Sequence, residues 1–328
     1  MANLETKYLG LTLKNPIVVS SSGLTNSVEK ICKLVDAGAG AVVLKSLFEE
    51  QINHEINNTI TSGEGFDYPE AVDYIKEYTK ENNVNDYLEL IKGAKAACDI
   101  PVIASINCFS TGNWIEFAKK IENAGADAIE LNVYVLNTDK NSKAEEYEQI
   151  YYDVLTSVQK EVSIPVSMKL GLYFSNLVRV VDMMSAFGAK GVVLFNRFYE
   201  PDIDIHKLSV KSAEVFSSSA DLRRTLRWVA IISDKVNTID VAASTGIHSG
   251  EDVVKVLLAG ASAAQVCSAI YKNGPEVITQ MLGDLEKWME EKEFDTIDEF
   301  KGKMTYGKIE NPAQWERSQF MKYFSSLE

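Results

Sequence analysis

Apolar runs and helical stretches alternate along this chain, and a small repeated device marks where one gives way to the other. Gly-Ala closes a helical pattern and opens an apolar run four times, at Gly38-Ala39, Gly125-Ala126, Gly188-Ala189 and Gly260-Ala261. Glycine fits the left-handed position after a helix, and alanine lets the returning chain pack close against it. Ile-Pro-Val opens two more runs, at Ile100 and Ile164, where proline is tolerated because a strand is beginning. Strands are thus predicted near 41–45, 101–106, 128–132, 165–169, 191–195 and 263–267, and Ile17 to Ser20 and Asp240 to Ala243 complete a set of eight. These runs read as continuously apolar rather than alternating, as parallel strands covered on both faces do. Helical patterns fill the gaps. The alternation predicts an α/β fold, a (β/α)8 TIM barrel forming one domain over 1–303, with 304–328 as a C-terminal extension packed on the barrel or a neighbouring subunit. An open doubly wound sheet is the alternative, but no GxGxxG follows the first strand.

The stretch from Ile239 to Tyr271 carries the first hint of chemistry. A short apolar run ends in Ser244, Thr245 and Gly246, and Ser249 is placed to cap a helix with Glu251 and Asp252 in its first turn. Gly260 stops that helix, and a second strand, Ala263 to Val266, ends at Cys267-Ser268. Two adjacent strand ends with small residues and open backbone N–H groups suit a phosphate, late in a barrel where such sites form. Small residues also close empty turns, so both readings stand at this stage.

Composition narrows the function. A net charge of −14 over 328 residues argues against nucleic acid as a partner. No apolar run reaches the ~18 residues that span a bilayer, and MANLETKYLG has neither the basic nor the apolar region of a signal peptide. Cys32, Cys98, Cys108 and Cys267 are far apart in sequence and read as reduced thiols of a cytoplasmic protein. His54, His206 and His248 are scattered without metal-ligand spacing, so no metal is expected.

Barrel chemistry gathers at the C-terminal ends of the strands. There this chain presents Ser21-Ser22-Gly23, Lys45-Ser46, Asn107-Cys108, Asn132, Lys169, Asn196, Ser244-Thr245-Gly246 and Cys267-Ser268. Two lysines at strand ends stand out, because lysine is seldom buried without a partner. They suit an anionic ligand or a Schiff base, or they snorkel from the barrel mouth. Asn57, Asn132, Asn137 and Asn196 suit a planar, amide-like ligand, although each alone also serves turns. Two long segments, Phe48 to Tyr68 and Arg197 to Ser219, have the length of lids or binding loops.

From about Leu4 to Lys303 the chain resembles the dihydroorotate dehydrogenases of the soluble, FMN-containing kind. The residues that carry the resemblance are NPIVVSSSG (15–23), AGAGAVVLKS (37–46), GFDY (65–68), IELN (129–132), VSMKL (166–170), TGI (245–247) and AQVCSAIYKNGP (264–275). The resemblance implies FMN, with Ser22 and Gly23 beneath its ring, Lys45 near its reactive edge and Ser46 among the residues that bind it. It implies Lys169 at the N1–C2 side, where a cation stabilises reduced flavin. Asn132 would touch flavin and substrate, Asn57, Asn137 and Asn196 would hold orotate, and Ser244, Thr245, Gly246, Cys267 and Ser268 would hold the phosphate. Soluble relatives form homodimers, and those that pass electrons to NAD use a separate iron–sulfur partner; its existence for this chain is left open. A quinone-linked membrane association is not expected, and the implied substrate is a small molecule of pyrimidine biosynthesis.

One departure bears on catalysis. Where the family's loop after the fourth strand carries its Cys or Ser base, this chain reads Asn132-Val133-Tyr134-Val135-Leu136-Asn137, with Val135 in the base position. Valine accepts no proton, and losing a positioned base costs roughly 10²–10⁴-fold in rate. Cys108 and Tyr134 are substitute bases to consider, and Val135→Cys is expected to raise dihydroorotate oxidation if the pocket is otherwise conventional. Serines at 217–219 replace a glycine pair near the phosphate, and Arg197 stands in a turn where smaller residues are usual. The sequence therefore predicts an FMN-dependent oxidoreductase acting on a CH–CH group. A flavin-binding protein without efficient catalysis and a Schiff-base lyase are the alternatives.

Overall fold

The computed structural model describes residues 2–48, 69–107, 111–197 and 200–317. Eight parallel strands close on one another: β3 (Ile17–Val19), β4 (Ala41–Val43), β6 (Val102–Asn107), β7 (Ala128–Asn132), β8 (Val166–Leu170), β9 (Gly191–Leu194), β12 (Asp240–Ser244) and β13 (Ala263–Val266). The pairing of β4 with β6 completes the ring, and β5 (Leu47–Phe48) adds two residues beside β6. Helices α1 (Val28–Asp36), α2 (Pro69–Ala97), α3 (Thr111–Asn123), α4 (Ala144–Gln159), α5 (Leu177–Ala186), α6 (Leu222–Lys235) and α7 (Gly250–Leu258) lie between strands on the outside. The fold is the predicted (β/α)8 TIM barrel.

The Gly-Ala device works as expected: Gly38, Gly125, Gly188 and Gly260 all have φ between 96° and 106° directly after a helix. Ser249 caps α7, its hydroxyl accepting from the Asp252 N–H at 3.2 Å. Side chains from the outer strand faces and the helices form the main core, which runs around the barrel. A smaller second core fills the barrel's lower interior, where Val18, Val43, Ile103 and Val193 meet Tyr8, Leu9 and Leu13. Those last three belong to an N-terminal hairpin, β1 (Thr6–Tyr8) and β2 (Leu11–Leu13), too short for a periodic signal. The hairpin plugs the barrel floor, held by the Thr6 hydroxyl on the Ser262 carbonyl at 3.1 Å and by the Leu9 N–H on Asp240 at 2.7 Å.

The inward faces of the strands differ from the expectation of uniformly apolar runs. Above the plug the inward positions are polar: Ser20, Ser105, Glu130, Ser167, Lys169 and Gln265 are all buried. Alternation is therefore present, with one face toward the helices and the other toward a polar shaft that leads to the barrel mouth.

A second hairpin, β10 (Pro201–Asp204) and β11 (Ser209–Ser212), occupies the long segment after β9. At the C-terminal side, residues 304–317 run across the outer helices. Met304 and Tyr306 donate backbone N–H bonds to the carbonyls of Leu258 and Ala230 at 2.8 and 3.0 Å, and the Tyr306 hydroxyl reaches Glu316 at 2.8 Å.

Candidate functional site

A cavity of about 610 Å³ opens at the C-terminal mouth of the barrel, the size and place of a cofactor or ligand site in such folds. Of the residues singled out in the sequence, Ser22, Lys169, Asn196, Ser244, Thr245, Gly246, Cys267 and Ser268 line it together. Gly23 sits beside it under Tyr271, whose hydroxyl lies 2.8 Å from where a Cβ at Gly23 would stand. Asn132 joins through the Asn196 side chain, whose Nδ2 donates to Asn132 Oδ1 at 2.8 Å. Ser46 is buried one step behind the wall, within 3.0 Å of the Ser21 hydroxyl and 2.7 Å of that of Ser105. Lys45 is half-buried beside it.

Other candidates lie elsewhere. Asn137 is exposed, its Oδ1 accepting from the Asp139 N–H at 3.1 Å and the Ser142 hydroxyl at 2.7 Å. It shapes its own loop and does not line the cavity. Tyr134 is half-buried, and burial first, then the nearby Tyr173, raises its phenol above the ordinary tyrosine value, which does not suit a base at neutral pH. Asn57, Cys108 and the GFDY stretch fall outside the described residues.

Lys169 shows why the polar shaft matters. Its side chain is 6% exposed, and its Nζ donates to Ser20 Oγ and Gln265 Oε1, each at 3.0 Å. Glu130, 1% exposed, lies 3.3 Å from the same nitrogen, and its other oxygen accepts from Gln265 Nε2 at 2.6 Å. An ammonium has three donors and no acceptor, and here it faces three acceptors. Glu130 and Gln265 are the residues that reading by motif passed over. The available signal was a carboxylate inside an apolar strand, which is rare without a partner. Its partner emerges only when β7, β8 and β13 are placed around the ring.

The other end of the cavity is lined by a tight turn and small polar side chains. Thr245 and Gly246 both have positive φ, 78° and 90°, and turn tightly against the start of α6. A Cβ at Gly246 would stand 2.2 Å from the Leu222 nitrogen, so only glycine lets the turn sit there. Facing it, Ser217 is 3% exposed and held on three sides. Its N–H donates to the Ser268 hydroxyl at 3.0 Å, its carbonyl accepts from Lys272 Nζ at 2.9 Å, and its hydroxyl lies 3.0 Å from His248 Nε2. Burial, then Lys272, lowers His248 below the ordinary histidine value, so the ring is neutral at pH 7. With the ring hydrogen on Nε2, His248 donates to Ser217 and leaves the serine hydrogen to point into the cavity.

Arg197 has a structural task. Its Nε and Nη2 donate to the carbonyls of Val215 at 3.0 Å and Glu214 at 2.8 Å, and Asp221 lies 3.5 Å from Nη1. It thereby ties the start of the β10–β11 hairpin segment to its end at the cavity rim. Arg197→Ala removes these ties at a cost of about 2 kcal/mol to the local structure. Amide hydrogen exchange over residues 200–216 is expected to quicken roughly thirtyfold, with the barrel strands unaffected.

The loop after β7 turns Val135 away from the cavity. Val135 packs against the outer core and lines a separate surface recess with Leu136, Tyr147 and Ile150. The Tyr147 hydroxyl donates to the Val135 carbonyl and lies 3.1 Å from the Tyr151 hydroxyl, which fixes the loop in this register.

Among the described residues there is no helix long and apolar enough to cross a membrane and no cluster of side chains that would hold a metal ion. Comparison with known proteins agrees with the barrel and its motifs. The family model described as dihydroorotate dehydrogenase matches residues 3–289. The catalytic subunit of dihydroorotate dehydrogenase B (NAD(+)) from Thermoplasma volcanium is 26% identical over 92% of this chain and 98% of its own. That from Methanocaldococcus jannaschii is 26% identical over 91% and 97%. The NAD-dependent dihydropyrimidine dehydrogenase subunit PreA of Escherichia coli K12 is 23% identical over 92% of this chain and 76% of its own. With a family match over nearly its whole length, the chain belongs to the dihydroorotate dehydrogenase family.

Proposed function

We propose that the barrel mouth holds FMN and that the protein is a flavin-dependent oxidoreductase acting on a CH–CH group of a small planar molecule, dihydroorotate or a close relative. The observation that carries this reading is the pairing of a buried Lys169, hydrogen-bonded to Ser20 and Gln265 and ion-paired with Glu130, at one end of the cavity with the Gly246 and Ser268 turns at the other. One end suits a ring that gains negative charge, and the other suits a phosphate. When bound, the flavin supplies a hydride acceptor. The chain's own residues do the rest: Lys169 presents a fixed positive charge, and Asn196 and Asn132 orient polar edges. Ser217, Ser268 and the Gly246 turn hold the phosphate. Tyr271 and Phe216, with ring centroids 5.3 Å apart, form part of the cavity wall.

A Schiff-base role for Lys169 is disfavoured, because its nitrogen is engaged by Ser20 and Gln265 at 3.0 Å and by the Glu130 carboxylate at 3.3 Å rather than left open to a substrate carbonyl. Three of the relatives are subunits of larger enzymes, which supports the reading that this chain also works beside an electron-transferring partner. Ile203, Ile205, Leu208 and Val210 stand exposed on the β10–β11 hairpin, an apolar patch of the kind a second copy would cover in a homodimer.

Equilibrium titration of the flavin-stripped protein with FMN and with riboflavin tests the cofactor. FMN is expected to bind at least tenfold more tightly, roughly the worth of one charge-assisted hydrogen bond. His248→Ala is expected to weaken FMN by about tenfold and to leave riboflavin unchanged, since it acts only through Ser217 on the phosphate. Equal affinity for the two flavins would remove the phosphate assignment. Binding of neither would remove FMN.

A further inference from the structure

Cys32 and Cys98 are 66 residues apart in sequence, yet their sulfurs lie 3.7 Å apart. Cys32 is in the middle of α1, and Cys98 directly follows the last residue of α2. The helices approach closely because Gly93 carries no side chain: a Cβ there would stand 2.7 Å from Val28 Cγ2. The site lies on the barrel's outer layer, and neither thiol lines the cavity at its mouth. Cys98 is buried, whereas Cys32 is half-exposed and so within reach of a small oxidant.

We propose that Cys32 and Cys98 form a redox pair that a hydroperoxide converts to a disulfide. Van der Waals contact brings the sulfurs to 3.7 Å, and a disulfide of about 2.0 Å requires a further approach of about 1.7 Å, within reach of side-chain rotation. The Cys32 thiolate attacks the O–O bond of the hydroperoxide, takes up one oxygen as a sulfenic acid and releases water or an alcohol. Cys98 then gives up its proton, attacks the Cys32 sulfur and expels hydroxide, which leaves as water. In sum, two thiols and one hydroperoxide give one disulfide, one water and one alcohol or second water. The two sulfurs together lose two electrons, and the peroxide gains them. Burial, then the hydrogen bond and charge of Cys32, then Asp36 push the Cys98 thiol up to about 11. Cys98 is accordingly the resolving partner, and the more open Cys32 meets the oxidant.

The link would tie the foot of α2 to α1 and close a loop that contains β4 and Lys45. Closing a loop of this length restricts the unfolded chain, and the melting temperature is expected to rise by roughly 5 °C.

The experiment treats the full-length protein with one equivalent of hydrogen peroxide, blocks the remaining thiols and digests without reductant. Mass spectrometry should find Cys32 and Cys98 peptides joined, two of the four thiols lost, the melting temperature raised, and all of this reversed by dithiothreitol. The Cys98→Ala variant should stop at oxidised Cys32 with no rise in melting temperature. Recovery of the two peptides separately in the wild-type protein, each alkylated or with Cys32 oxidised past the sulfenic acid, would overturn the pairing. So would a disulfide formed instead by Cys108 or Cys267.

Discussion

Glu130→Ala is expected to destabilise the protein by about 3–5 kcal/mol, because it leaves Lys169 as a buried charge without its counter-ion. Both side chains are almost wholly enclosed, at 6% and 1% exposure, so water cannot take over the role of either. Gln265 suffers as well, since its Nε2 loses the carboxylate oxygen at 2.6 Å. The double variant Glu130→Met, Lys169→Met removes both charges and should recover a large part of the loss. Buried ion pairs replaced by apolar side chains of similar size are often close to neutral in stability. Denaturant unfolding of the two variants beside the parent separates the effects. If the single variant lost less than 1 kcal/mol, the pair would be solvated and its enclosure illusory. On the proposed FMN reading, the double variant is also expected to bind reduced flavin less tightly than the parent does, which separates the lysine's work in holding the barrel from its proposed work at the ring.

Addition of dihydroorotate without oxygen is expected to bleach the flavin roughly 10²–10⁴-fold more slowly than a family site with a positioned base permits. Val135→Cys alone should not restore the rate. The expectation from sequence, that a cysteine in the base position raises activity, holds only for an otherwise conventional pocket, and here the loop turns position 135 outward. Valine 135 faces the Tyr147 side of its loop, and its carbonyl accepts from the Tyr147 hydroxyl, so a thiol there would enter the outer recess rather than the cavity. Combining Val135→Cys with Tyr147→Phe frees that carbonyl and is the variant in which recovery is expected. Stopped-flow absorbance at the flavin band reads both. Fast bleaching by the unaltered protein would show a working base within reach of the cavity.

Most of the fold was legible because its signals are local. Each Gly-Ala pair reports a helix end through the conformation of one residue, and Ser249 reports a helix start through one hydroxyl. The turns proposed to hold a phosphate rest on equally local signals, since Gly246 and Ser268 each lie two residues past the end of a strand. The shaft does not. Glu130, Lys169 and Gln265 are separated by 39 to 135 residues, and nothing in the run AIELN says that its glutamate faces the lysine of the next motif. Arg197 was ambiguous for the same reason: the carbonyls that hold it belong to Glu214 and Val215, on the far side of a hairpin. Val135 marks a different limit. Aligning motifs placed it in the base position, but the direction of its side chain depends on Tyr147, which approaches from α4.

The hairpin that plugs the barrel floor sets the order in which the molecule can be completed. Thr6 seats on Ser262, 256 residues away, and Leu9 on Asp240, 231 residues away. On a ribosome, the segment that fills the lower interior must therefore wait, with Tyr8, Leu9 and Leu13 uncovered, until β12 and β13 have been made. Contacts this distant in sequence slow folding, because the intervening chain must be ordered before they form. Closure of the ring and seating of its floor thus become one late event, and a nascent chain stalled before Asp240 is a form for a chaperone to shield.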